Sequence, residues 1–158
     1  SNQRIDLHVL SALAKRFQVS FEALCIRFIK FTTQRAILVY WDNGFVKYEW
    51  RSSSAVKTRA RIRRTDDPQE PLPGTLAADS TVEQEWDGTE MSAAIWCPEE
   101  APHMKLREFK HSYTTGDRVL TLLLLESAEP RSWDRSWQDG ESFDSFDQFV
   151  STGQLPVR

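Results

Sequence analysis

The chain reads as an α+β domain, with an N-terminal helical pair followed by an antiparallel sheet of about five strands and flanking helix and loops. Apolar residues recur at helical spacing from Ile5 to Phe31 and then alternate with a period of two from Arg35 onward. Turn signals separate the alternating runs at Asp42-Asn43-Gly44 and at Thr114-Thr115-Gly116-Asp117.

In the first segment Ile5, Val9, Leu10, Leu13 and Phe17 share one helix face, and Phe21, Leu24, Cys25, Phe28 and Ile29 share the next. Gln18-Val19-Ser20 connects the two helices, and the Ser20 hydroxyl is placed to accept from a free N–H at the start of the second. Ala14 supplies the small side chain that a close crossing needs. The arrangement is helix-turn-helix-like. As a DNA reader it is atypical, because Gln18 stands where the turn usually has Gly, and the second helix offers Glu22 and Arg27 but few base-reading groups.

The sheet opens with a strand at residues 36–41 and a returning strand at 45–50, because Asn and Gly tolerate the positive φ of a tight hairpin. Further strands are expected at Ser92–Cys97, Leu106–Tyr113 and Arg118–Glu126, and a short helix at Leu76–Trp86. Residues 51–69 carry no clear period, and Pro68, Pro71, Pro73 and Gly74 then interrupt regular structure. After Ser127 the chain turns polar and acidic, with Phe143, Phe146 and Phe149 spaced for a short amphipathic helix that needs a docking surface. The expected organisation is therefore residues 1–33 as a helical segment, 34–126 as the sheet domain and 127–158 as a C-terminal tail.

The 158 residues are 40% hydrophobic and 27% charged, a globular balance, and the net charge of −3 makes no whole-chain case for nucleic acid or an anionic membrane. The longest uncharged apolar run, residues 119–125, falls far short of the roughly 20 residues of a membrane span. Cys25 and Cys97 lack C-x-x-C spacing and sit among apolar neighbours, so reduced core thiols and a cytoplasmic location are expected. Ser1-Asn2 receive no role.

Catalytic chemistry finds little support. His8, His103 and His111 make no metal-binding spacing, Ser52-Ser53-Ser54 lacks a nucleophile elbow, and Asp66-Asp67 and Glu99-Glu100 read as solvated loop pairs. No catalytic residue, metal ligand or cofactor is assigned. Two binding candidates remain. Trp41, Trp50, Trp86 and Trp96 bring large apolar area with one N–H each, as core or rim aromatics or as the wall of a ligand cage. Lys57, Arg59, Arg61 and Arg63 alternate, so a strand there would place all four cations on one side, as a solvated edge or as an anion site.

Leu13-Ala14-Lys15-Arg16-Phe17-x-Val19-Ser20-x-x-Ala23 with its following apolar helix resembles the region after the peptidase core in the ImmA/IrrE family of bacterial metallopeptidase regulators. Trp41-Asp42-Asn43-Gly44, the Pro-Leu-Pro-Gly segment at 71–74, and Gly116-x-Arg118 leading into an apolar strand resemble the GAF-like sensory domain of those proteins. The resemblance implies a sensory domain that binds a small molecule or protein partner and is attached to a peptidase module. The chain has no His-Glu-x-x-His motif, so the peptidase role is not carried over and this chain is expected to be the non-catalytic part of a longer protein. DNA binding through the helical pair and a purely structural role beside the peptidase are the alternatives.

Overall fold

The computed structural model describes residues 4–65 and 67–129. Two helices cover one face of a five-stranded antiparallel sheet, and largely irregular chain covers the other. The expected tail segments from residue 130 onward lie outside the described residues.

Helix α1 (Leu7–Phe17) starts at Asp6, whose carboxylate accepts from the Val9 N–H at 2.9 Å, and α2 (Phe21–Phe31) starts at Ser20, whose hydroxyl accepts from Ala23 N–H at 3.0 Å. Gln18 turns the chain in the left-handed region at φ 57°. Leu7, Leu10, Ala14, Leu24, Cys25 and Ile29 form the buried stripe of the pair.

Strands β1 (Arg35–Asp42) and β2 (Phe45–Arg51) form the predicted hairpin, with Asn43 and Gly44 both at positive φ. A short helix, α3 (Ser53–Lys57), follows, and β3 (Gln84–Ser92) leads into one 3₁₀ turn at Ala93–Ile95. Strands β4 (Lys105–Ser112) and β5 (Arg118–Leu125) form the second hairpin. The spatial order is β2-β1-β5-β4-β3. Insertion of β5 between β1 and β4 joins the two hairpins into one sheet.

Period-two alternation divides the central strands between two cores. Ala36, Leu38 and Tyr40 of β1 join Leu120 and Leu122 of β5 and Phe109 of β4 beneath the helices. Ile37, Val39 and Trp41 join Leu123, Leu125 and Leu106 on the opposite face, against Ala55, Ala60, Ile62, Leu72, Trp96 and Cys97. The two cysteines are buried, unpaired and on opposite faces, as the sequence predicts for core thiols.

Two local expectations are corrected, and the condition for an alternating basic stripe is not met. Residues 76–86 are turns that run into β3, pinned to the sheet by tertiary partners at residues 76–79 (below). The strand expected at Ser92–Cys97 lies upstream at Gln84–Ser92, and the apolar residues after it fold into the 3₁₀ turn that buries Ala93 and Trp96. Residues 57–63 are not a strand: Lys57 ends α3 and Arg59 sits at φ 60°. Only the last part keeps alternation, with Ala60 and Ile62 buried while Arg61 and Arg63 are exposed.

Arg35 fixes the corner where these pieces meet. Its guanidinium is 2% exposed and donates to Glu100 Oε2 at 2.5 Å, to Thr58 Oγ1 at 2.9 Å and to the Glu126 carbonyl at 2.6 Å. Removing one partner of such a pair strands the other charge in the interior, which typically costs about 3–5 kcal/mol. Arg35→Ala is therefore expected to lower the unfolding free energy by about that amount, read from urea denaturation; a loss under roughly 1 kcal/mol would show that water reaches the corner.

Candidate functional site

The face opposite the helices carries two charged side chains pointing inward from β4 into an otherwise largely apolar core. Leu106, Glu108 and Lys110 alternate with Arg107, Phe109 and His111 along β4, so both charges fall on the side of Leu106. Glu108 is fully buried and Lys110 is 3% exposed. The Glu108 carboxylate accepts from the backbone N–H groups of Leu76 (3.0 Å) and Ala77 (2.8 Å) and from Trp96 Nε1 (3.1 Å). The Lys110 ammonium donates to the carbonyls of Leu76 (2.8 Å) and Asp79 (2.9 Å). With the Leu76 and Ala77 N–H groups held by Glu108 and the Leu76 and Asp79 carbonyls held by Lys110, residues 76–79 are turns pinned to the sheet where a helix was expected. Asp79 then accepts from the Thr81 N–H and hydroxyl, closing the turn.

Burial pushes the Glu108 carboxyl above its ordinary value, opposed by the three N–H donors and by Lys110. Burial pushes Lys110 down, opposed by Glu108, Asp79 and Glu83.

Residues 71–83 thus form a strap laid across the open end of the sheet, with a cavity of about 230 Å³ beneath it. Trp41, Lys110 and Val119 supply its sheet side, and Pro71, Ala77 and Val82 its strap side. Ala78 lines it from an exposed position, as do Glu83 and Asp117. Trp41 is held in place by its indole N–H, which donates to Thr121 Oγ1 at 2.9 Å. A second cavity, of about 330 Å³, opens at the other end of the sheet between Ile5, Lys105, Leu124 and Glu126, and none of the sequence-predicted site residues lines it.

The four tryptophans separate into two pairs. Trp41 and Trp96 lie in the strap-side core with centroids 6.3 Å apart. Trp50 and Trp86 are half-buried on the helix side, where Trp86 stacks on Phe21 at 5.7 Å and Lys30 lies over the Trp50 ring at 5.3 Å. Of the four, Trp41 lines the cavity. Arg61 and Arg63 point to solvent, away from this cavity's lining. Ser52 is spent on structure: its hydroxyl accepts from Ala36 and Ala55 N–H and donates to the Gln34 carbonyl. Among the described residues no group of three metal-ligating side chains converges. Lys110 and Glu108 were not among the sequence candidates. Their signal was present, as two opposite charges two positions apart in a strand whose same-face neighbour, Leu106, is apolar.

The helix side holds a separate polar–aromatic cluster. Glu22 of α2 accepts from the phenols of Tyr48 and Tyr113, which burial holds above their ordinary pKa. His111 lies among Phe21, Trp86 and Tyr113, and its buried Nδ1 has no hydrogen-bond partner among the described residues. Burial lowers the pKa of its imidazole. Between that lowered value and the ordinary one near 6.5, the unfolded chain binds more protons than the folded one, so stability falls as the pH drops through the window. Urea titrations from neutral pH to about pH 5 should show this loss, and His111→Phe should flatten it; an unchanged slope in the variant would assign the dependence to other groups.

No protein-family model matches the chain, and no curated protein matches it.

Proposed function

We propose that this chain is a non-catalytic sensory domain of an ImmA/IrrE-like regulator, which binds a small molecule between the sheet and the strap and biases an attached peptidase module. The cavity carries this reading: it has an apolar wall at Trp41 and Val119, a buried charge at Lys110, and a cover tethered through side-chain hydrogen bonds. At about 230 Å³ it is smaller than the ~300–1,000 Å³ of drug-sized sites, which suits a small metabolite. A ligand preferring one strap position shifts the population of strap positions, by no more than its difference in affinity for the two.

Groove reading by the helical pair has less support. The first turn of α2 faces the sheet, with Phe21 against Trp86 and Glu22 on the tyrosines, which leaves Arg27 and Phe31 as its exposed groups. A structural role has one observation in its favour: Phe17 and Phe31 are 60% and 53% exposed, as expected of helices that pack against a further module.

A metabolite screen by thermal shift tests the sensory reading. A compound at a hundredfold excess over its Kd adds about 2.7 kcal/mol, or several degrees of Tm. Binding is expected to protect the amides of residues 76–83 from hydrogen exchange, and Ala78→Phe, which fills the cavity from an exposed position, should abolish both effects. Protection confined to the helices, or binding untouched by Ala78→Phe, would overturn it.

A further inference from the structure

The cavity is electrically two-ended. At its inner end Lys110 has three N–H donors, and two of them are taken by the Leu76 and Asp79 carbonyls. The third has no partner among the described residues. Glu108, the nearest carboxylate along the strand, is occupied by the N–H groups of Leu76, Ala77 and Trp96. The inner end therefore holds a buried ammonium with one donor left for an acceptor on a ligand.

The mouth has the opposite sign. Glu83 and Asp117 line it from exposed positions, and the sequence contains no Lys or Arg between Arg64 and Lys105, so the strap brings only carboxylates. The cations near the mouth in sequence are engaged elsewhere: Arg118 donates to the Tyr40 hydroxyl and to Thr115, and Lys47 lies 3.9 Å from Asp42. Between the two ends the wall is apolar, formed by Trp41, Val82 and Val119.

Each simpler ligand leaves one end unmatched. An alkanoate satisfies Lys110 but holds its tail against the mouth carboxylates with nothing to offer them. An alkylamine satisfies the mouth but leaves the buried N–H without an acceptor, at the cost of an unpaired polar group. We propose that the site, read as the ligand cavity above, selects small molecules with a carboxylate at one end and an ammonium at the other. The carboxylate accepts from Lys110 Nζ, the ammonium sits between Glu83 and Asp117, and a short methylene chain lies along Trp41 and Val119.

Calorimetry and Trp fluorescence with γ-aminobutanoate, δ-aminopentanoate and ε-aminohexanoate test this, with pentanoate and pentylamine as single-function controls. The best ω-amino acid is expected to bind about tenfold tighter than either control. Glu83→Gln with Asp117→Asn, both exposed and outside the clamp, should narrow its advantage over pentanoate to about threefold or less at unchanged Tm. Lys110→Met should remove binding; because it also loosens the strap, the mouth variant is the decisive one. A control that binds within about threefold of the best amino acid overturns the selectivity and leaves the cavity reading standing. An advantage that survives the mouth variant likewise overturns the assignment of the ammonium. Absence of binding by any of the five at roughly millimolar concentration overturns the selectivity, whereas the cavity reading falls only if the broader screen is also empty.

Discussion

Burial of the central strands on both faces is the constraint from which the rest of this architecture follows. Every residue of β1 from Arg35 to Trp41 is buried, and so are residues 120–123 of β5. Such strands need cover on each side, and the two covers are of different kinds. Helices meet the sheet with backbones already hydrogen-bonded, so only their side chains have to fit. The opposite cover is mostly irregular chain, whose N–H and C=O groups would be left unsatisfied in an apolar interior. Glu108 and Lys110 answer that demand at residues 76, 77 and 79, while Thr58 donates to the Ser54 carbonyl and Arg35 to the Glu126 carbonyl.

These buried charges place the chain more than they stabilise it. A buried ion pair gains little over apolar residues of equal volume, because desolvation offsets the attraction. What the charges add is geometry. A carboxylate that accepts two consecutive amides and an ammonium that donates to two carbonyls three residues apart allow the strap few other positions. The cavity owes its shape to that placement, since its lid is set by the clamp while Trp41 is set independently by Thr121.

The elements legible in the sequence were those fixed by local chemistry. Asp6 and Ser20 cap their helices, and Asn43-Gly44 turns the first hairpin, within a few residues of the groups they satisfy. What escaped detection depends on distant partners. The alanines at 77 and 78 favour a helix, yet Glu108 and Lys110, some thirty positions away, pin the segment to the sheet as turns. Strand β3 is obscured by its acids and by Gly88, where the register against β4 slips between Glu85 and Thr89. A Cβ at Gly88 would lie 2.5 Å from Arg107 Cγ, and its φ of +89° also demands glycine, so a residue that reads as a strand breaker is what lets the edge strand pair. Of the site, Trp41 was visible as a large aromatic in a strand. Lys110 was not, because a charge in a strand ordinarily points to solvent and only the two-sided burial of this sheet turns it inward.

The near-complete burial of Lys110 also sets its chemical reactivity. An amine that is 3% exposed and hydrogen-bonded to two carbonyls meets electrophilic reagents too large for the cavity only when the strap lifts. Surface lysines such as Lys15, Lys47 and Lys57 have no such gate. The rate at which this one side chain is modified therefore records how often the strap opens, so the protein carries its own clock for the motion on which sensing would depend.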